Sequence, residues 1–259
     1  MKKYLSLLVL VLLALPLQAG HWYMPNMDGA REPGWESLIY VDSYCYATNP
    51  TLFALQEGFD VANDDNFLFI NIWVDPDPWG DGSPAELQLL IGNEDPIGIP
   101  DDPYEGNKTN AVKHIMPFPP DLIVILQWDQ AAGGAFTWMG QVGIMSGFSP
   151  FGGIVAPSAV TGYTQSIEIA IPKAMIDMNV FSPIKAGDRL YLTAYMRPDQ
   201  NKPGITATAP CDPAALSDWG DGISSPLSAQ KCYTWAAGKS PAQEAWVDST
   251  ALIAEDTDG

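Results

Sequence analysis

Hydrophobic side chains alternate with polar or aromatic ones along much of this chain, which is the pattern of β-strands. The strongest run is residues 67–74 (FLFINIWV), where Leu68, Ile70, Ile72 and Val74 share one parity. The other parity is largely aromatic, so this run predicts a central strand that is buried on both faces. Comparable runs are found at residues 37–48, 53–61, 86–91, 121–128, 136–142, 163–171, 189–197 and 231–236.

Turns rich in glycine and proline separate these runs, and no helical periodicity extends beyond two turns. The pattern predicts an all-β fold: an antiparallel β-sandwich of the jelly-roll or immunoglobulin-like kind, in a single domain with long loops. Residues 92–120 are predicted to be a long loop, the chain beyond Pro198 is predicted to be loop-like apart from the short strand at 231–236, and residues 173–178 allow a short helix.

The two faces of the later strands are predicted from their parity. In 163–171 the isoleucines face inward, and Ser166, Glu168 and Ala170 face outward. In 189–197 the aliphatic side chains face inward, whereas Tyr191 and Tyr195 lie on the other face. These tyrosines form either a flat platform for a carbohydrate or a sheet face that is covered by a loop.

The N-terminus has the pattern of a secretory signal peptide. Lys2 and Lys3 precede an apolar run at residues 5–15, and small residues follow at Ala19 and Gly20. We expect a signal peptide at residues 1–19, the sandwich at 20–236 and an acidic tail at 237–259. The mature protein is expected to be secreted, periplasmic or on the cell surface, with no stable membrane span after cleavage.

The chain is strongly acidic, with 31 Asp and Glu residues against 12 Lys and Arg residues and a formal charge of −19. Such a surface disfavours nucleic acids and anionic lipids as partners. Two interpretations remain open, namely a generally acidic soluble surface or carboxylates gathered to bind divalent cations.

Three cysteines, Cys45, Cys211 and Cys232, are expected in an oxidising compartment. Cys211 and Cys232 both fall in the loop-rich C-terminal region and are the predicted disulfide pair. A bridge closing a loop of ~20 residues stabilises a protein by roughly 3 kcal/mol in the chain-entropy model. Cys45 shares the apolar parity of its strand and is predicted to be a buried thiol.

The loop at residues 75–82 (DPDPWGDG) is a candidate calcium site. Asp75, Asp77 and Asp81 alternate around glycines, and calcium is bound by six to eight oxygen ligands. The alternative is an ordinary surface turn rich in Asp and Gly.

The tetrapeptide Trp-Gly-Asp-Gly recurs at residues 219–222, where Asp218 precedes it and Asp221 lies within it. If the two loops meet at one end of the sandwich, Trp79 and Trp219 lie beside carboxylates. A sugar is commonly held in this way, its apolar face on an aromatic ring and its hydroxyls on acceptors. The candidate ligand-binding residues are therefore Trp79, Trp219, Tyr191 and Tyr195, and the candidate calcium ligands are Asp75, Asp77, Asp81, Asp218 and Asp221. Two independent turns are the alternative.

Nothing in the sequence indicates catalysis. The chain has only two histidines, His21 and His114, and neither a Gly-x-Ser-x-Gly nor a His-Glu-x-x-His motif. We therefore expect a protein that is not an enzyme. A b-type haem would need an axial ligand in a dry pocket, for which His114, Met116, Met139 and Met145 are available.

Three groups of residues resemble family 9 carbohydrate-binding modules. Met27-Asp28-Gly29 with Glu32 and Trp35 is similar to their first motif, and 64–75 is similar to their central strand. Residues 167–172 (IEIAIP), with 184–190, resemble their later strand pair. This resemblance implies a DOMON-like β-sandwich, a group whose members bind sugars or haem.

Together these features predict a secreted, non-catalytic β-sandwich that binds carbohydrate or a cell-surface glycan and is stabilised by calcium. The first alternative is a structural protein of the cell surface or extracellular matrix that associates with itself. A minor alternative is a periplasmic electron-transfer subunit of the DOMON-like group that binds b-type haem.

Overall fold

The computed structural model describes residues 22–30, 32, 35, 45–46, 55–74, 85–101, 112–130, 136–144, 147–158, 165–180, 182–197, 205–216 and 226–238. For strand residues 45–46, 55–58, 85, 128–130, 136–139 and 147, the description covers the backbone only. Most of the described chain is strand, and the two larger sheets are antiparallel and packed as a sandwich. The predicted all-β class is therefore confirmed. The predicted signal peptide and the acidic tail from Lys239 lie outside the described residues.

The strands of the first half of the chain are β1 (Cys45–Tyr46), β2 (Leu55–Asn63), β3 (Phe67–Val74), β4 (Ala85–Gly92), β5 (Lys113–His114), β6 (Leu122–Gln130) and β7 (Phe136–Ile144). The remaining elements are β8 (Gly147–Pro150), β9 (Ile154–Pro157), β10 (Gln165–Pro172), helix α1 (Lys173–Asn179), β11 (Arg189–Arg197), β12 (Ala207–Ala209), β13 (Pro226–Leu227) and β14 (Lys231–Thr234).

The sandwich consists of a larger and a smaller sheet. The larger has the order β1-β12-β11-β4-β6-β7-β8, and β14 also pairs with β11. The smaller has the order β2-β3-β10-β9, and β13 and β5 form a separate parallel pair. Strand β3 lies between β2 and β10, as the two apolar faces of its sequence predict. In the region predicted to be loop, the structure adds the short strands β5, β12 and β13.

The main core lies between the two sheets. The inward side chains of β3 and β10 pack against those of β4, β6 and β11, and all of them are nearly inaccessible to solvent. This core includes the side chains that the alternating pattern assigned to the interior, namely Leu68, Ile70, Ile72, Val74, Ile167, Ile169, Ile171, Leu190, Leu192, Ala194 and Met196.

A second apolar cluster covers the outer face of the larger sheet. Leu90, Ile123, Ile125 and Tyr195 project from that face and contact Leu227 and other residues of the covering loops. The loops between β4 and β6 and after β12 therefore form an additional layer. Under this layer the outer face of these strands is also buried, and its side chains include polar ones such as Gln88 and Thr193.

Residues 22–30, 32 and 35, which we call the N-terminal segment, cover the outer face of the smaller sheet. Trp35 is fully buried against Phe69 and Ala170, and Tyr23 packs edge-on against its ring at 5.5 Å between centroids. Glu168 lies beneath this segment with no exposed surface. Ser166, Glu168 and Ala170 lie on the face opposite the main core, as their parity predicts, but this outward face is buried rather than exposed.

The carboxylate of Glu168 holds this segment in place. Its Oε2 accepts hydrogen bonds from the backbone N–H groups of Asp28 and Gly29, at 3.1 and 2.9 Å. Its Oε1 accepts one from Trp35 Nε1 at 3.0 Å. Burial raises the pKa of Glu168, although these three donors act in the opposite direction.

In the described ranges, no helix is long and apolar enough to cross a membrane.

Candidate functional site

An open cavity of about 470 Å³ lies where β4 leaves the larger sheet and β11 enters it. One wall is the segment that follows β4, and the other is the turn that precedes β11. The described residues that line it are Asn93, Glu94, Asp95, Pro96, Ser182, Ile184, Gly187, Asp188 and Arg189. Most of them have polar or charged side chains.

The wall after β4 is fixed by its own side chains. Asn93 Oδ1 accepts the backbone N–H of Asp95 at 2.7 Å, and Asp95 Oδ1 accepts that of Ile97 at 2.9 Å. Asp121 anchors the start of the segment, since its Oδ2 accepts the backbone N–H of Asn93 at 3.1 Å. Burial raises the pKa of Asp121 to about 6.

The opposite wall is a tight turn at residues 184–188. Asp188 Oδ2 accepts the backbone N–H of Lys185 at 2.8 Å. Gly187 has φ +89°, a backbone conformation that suits glycine, and its N–H donates to the carbonyl of Trp235 at 2.9 Å. Both walls thus hold their backbones in defined positions before any ligand binds.

Arg189, Glu94 and Tyr191 form a polar group at the side of the cavity. Arg189 Nη1 lies 3.1 Å from Glu94 Oε1, and the Tyr191 hydroxyl donates to the same oxygen at 3.3 Å. The ring of Tyr191 packs on Phe118 at 4.4 Å between centroids, with the planes 33° apart. Desolvation raises the pKa of Tyr191, the electrostatic interactions with Cys232 and Glu94 act in the same direction, and the hydrogen bond with Arg189 acts in the opposite direction.

Of the two tyrosines predicted to form a ligand platform, only Tyr191 is partly exposed and adjoins this cavity. Tyr195 has no exposed surface, and its hydroxyl donates to Gln88 Oε1 at 2.5 Å. The platform prediction is therefore wrong for Tyr195, because the covering loops enclose it. The alternative of a sheet face beneath a loop describes Tyr195 correctly.

The other predicted ligand residues lie outside the described part of the chain. Trp79 and Asp75, Asp77 and Asp81 belong to residues 75–84, and Asp218, Trp219 and Asp221 belong to residues 217–225. Their roles stay predictions. Within the described ranges, no group of three or more His, Cys, Asp or Glu side chains is placed to hold a metal ion.

Two of the residues named for a haem are described. His114 is buried, and its Nδ1 lies 2.8 Å from the carbonyl oxygen of Ile99. Met116 is part of the second apolar cluster. The side chains of Met139 and Met145 lie outside the description.

The predicted disulfide between Cys211 and Cys232 is wrong. Cys232 in β14 is a thiol, and its pKa is raised chiefly by burial, against the effect of the nearby Arg189 guanidinium. Cys232 lies opposite Tyr191 in the β11–β14 pair, so the strand register directs it to a position beside the cavity. The side chain of Cys45 lies outside the described residues.

Glu94, Asp188 and Arg189 were not among the residues singled out from the sequence. Glu94 and Asp188 lie in turns rich in Asp, Asn, Gly and Pro, where acidic residues are ordinary. The strand pairing that brings these turns together joins residues about a hundred positions apart. No local pattern carries that information.

The residues that carry the resemblance to family 9 modules are partly brought together by Glu168, which accepts hydrogen bonds from Asp28, Gly29 and Trp35. A scan against protein-family models finds no match to the chain, and a search of curated proteins finds no significant relative. The resemblance to family 9 modules therefore depends on the short sequence motifs and their order along the chain alone.

Proposed function

We propose that this protein is a secreted, non-catalytic β-sandwich that binds carbohydrate. The observation that carries the proposal is the open cavity of about 470 Å³ with Asn93, Glu94 and Ser182 in its lining and the Tyr191–Phe118 pair beside it. Amide, hydroxyl and carboxylate groups suit the hydroxyls of a sugar, and an aromatic ring suits its apolar face.

Preorganised walls favour binding in such a cavity. Ordering side chains and loops on association costs about 0.5–1.5 kcal/mol for each mobile side chain. Asp95 and Asp188 are already hydrogen-bonded to backbone N–H groups, so part of this cost is met in the free protein. The side chains of Glu94 and Arg189 are half exposed, at 55% and 51%, and are therefore accessible to a ligand.

The proposal is tested by screening the purified protein on a glycan array and repeating the positive glycans with variants. Tyr191→Ala should abolish or strongly weaken binding, whereas Tyr191→Phe keeps the ring and should retain most of it. Asp65→Asn is a matched control, since it removes an exposed carboxylate that does not line the cavity. If the wild type binds no glycan, the proposal is wrong. If Trp79→Ala or Trp219→Ala abolishes binding while Tyr191→Ala does not, the ligand is bound by the Trp-Gly-Asp-Gly loops instead.

We also propose that the protein binds calcium, with Asp75, Asp77, Asp81, Asp218 and Asp221 as the candidate ligands. An ion bound only by the folded state stabilises it, so EDTA should lower the melting temperature. An unchanged melting temperature would remove calcium from the proposal.

A second candidate function is self-assembly at the cell surface or in a matrix. Phe148 on β8 is 46% exposed and Ile154 on β9 is 49% exposed, and among the described strands β8 and β9 are the outermost of the larger and the smaller sheet. An exposed strand edge with apolar side chains can pair with another chain. Light scattering with and without calcium tests this function: polymers lost in Ile154→Lys support it, and a strict monomer in both conditions contradicts it.

A further inference from the structure

We propose that the cavity selects a sugar unit that carries a protonated amine, of the glucosamine type, over neutral and acidic glycans. This inference rests on the proposed function, because it names the class of carbohydrate that the same cavity binds. It follows from the balance of charge in the lining and from which of the charges are already paired.

Among the described residues that line the cavity, Glu94, Asp95 and Asp188 carry carboxylates, and Arg189 is the one that carries a cationic side chain. Arg189 is paired with Glu94 at 3.1 Å. Asp95 and Asp188 therefore face the cavity without a cation from its lining. An anionic sugar would meet like charges there, and a cationic one would find two carboxylates.

Both carboxylates keep capacity for a ligand. Asp95 uses Oδ1 for the backbone N–H of Ile97, and Asp188 uses Oδ2 for that of Lys185. An ionised carboxylate has two oxygens that accept hydrogen bonds, and an ammonium group has three donors. One oxygen of each aspartate is thus available to an amine, while the other keeps the wall in place.

Adjacent negative charge strengthens this preference. The carboxylate of Asp121 accepts a hydrogen bond from the backbone N–H of the lining residue Asn93, and the formal charge of the whole chain is −19. Such a field raises the local concentration of cationic ligands and lowers that of anionic ones, and it is screened by salt.

The test is isothermal titration of the full-length protein with three oligosaccharides of equal length. These are a glucosamine oligomer, its N-acetylated counterpart, which is neutral, and a galacturonic acid oligomer. At low salt, the glucosamine oligomer should bind most tightly and the galacturonic acid oligomer should not bind detectably. Added salt should weaken binding of the glucosamine oligomer and change that of the neutral one little.

The variant Asp188→Asn removes one charge and keeps an oxygen for the backbone N–H of Lys185. It should weaken binding of the glucosamine oligomer about fivefold, near the upper range for an exposed ion pair. Binding of the N-acetylated oligomer should change less than about twofold, and Asp65→Asn should change neither.

Equal or tighter binding of the N-acetylated oligomer, sensitive to Tyr191→Ala, would overturn this inference and leave the proposed function intact. An Asp188→Asn variant that binds the glucosamine oligomer as tightly as the wild type would also overturn it. Absence of binding to these oligomers and to every glycan on the array would overturn both proposals.

Discussion

Trp35 donates a hydrogen bond from its indole Nε1 to Oε1 of Glu168, across 3.0 Å and 133 positions of sequence. This bond connects the N-terminal segment to the middle of β10. Because Glu168 has no exposed surface, its acceptor oxygens have no access to bulk water. The N-terminal segment is therefore an integral layer of the sandwich.

Replacement of Glu168 by alanine should strongly destabilise the protein. It would leave the buried indole N–H of Trp35 and the backbone N–H groups of Asp28 and Gly29 without their acceptor, and each such group costs about 1–3 kcal/mol. We expect a loss of roughly 3–5 kcal/mol in the free energy of unfolding, measured by urea denaturation. Glu168→Gln keeps one acceptor oxygen and should lose less. A loss below about 1 kcal/mol for Glu168→Ala would contradict this role.

Gly29 and Gly187 form a matched pair for testing steric contact. Both have positive φ, at +82° and +89°, so alanine at either position incurs left-handed strain of about 1–2 kcal/mol. A Cβ at Gly29 would also lie 2.3 Å from the backbone nitrogen of Ser158, whereas one at Gly187 meets nothing within 4 Å. Gly29→Ala should therefore lower the denaturation midpoint clearly more than Gly187→Ala. Equal losses would show that the N-terminal turn is not pressed against β9.

Asp121 should make stability depend on pH. Its pKa is raised from 3.8 to about 6 in the folded state, so the folded protein binds this proton more tightly than the unfolded chain. The free energy of unfolding should therefore fall as pH rises from about 4 to about 6, by up to about 3 kcal/mol from this group, and then level off. Asp121→Asn should flatten this part of the profile. An identical pH profile for the variant would contradict the raised pKa.

The state of Cys232 can be tested by alkylation. Because Cys232 is a thiol in the structure, it should react with iodoacetamide in the unfolded protein without prior reduction. In the folded protein the reaction should be slower, since burial raises its pKa and limits access. Peptide mass spectrometry identifies the modified residue. If Cys232 becomes alkylated only after reduction, it is part of a disulfide and its assignment as a thiol is wrong.

Alternation of side chains in the sequence predicted the fold class and several strands closely. Both β3 and β11 match their predicted bounds, because each has an aliphatic parity that the main core buries. The outer faces were less predictable. Glu168 and Tyr195 have the parity of solvent-facing positions, yet loops distant in sequence cover them. Two-residue alternation gives the orientation relative to one sheet and contains no information about a third or fourth layer.

Of the described residues at the candidate site, only Tyr191 was predicted from the sequence to bind a ligand. The Trp-Gly-Asp-Gly loops have a local signature, whereas Glu94, Asp188 and Arg189 are brought together by the pairing of β4 with β11. Long-range register of this kind depends on the whole sheet, so turn composition alone could not identify the cavity.

The central claim is that ligand binds between the wall after β4 and the turn before β11. Hydrogen-exchange mass spectrometry with saturating glucosamine oligomer tests this claim most directly. We predict slower exchange in residues 93–97 and 184–189, and no change there on addition of the galacturonic acid oligomer. Unchanged exchange in both segments while the oligomer binds would contradict the claim and place the ligand elsewhere on the protein.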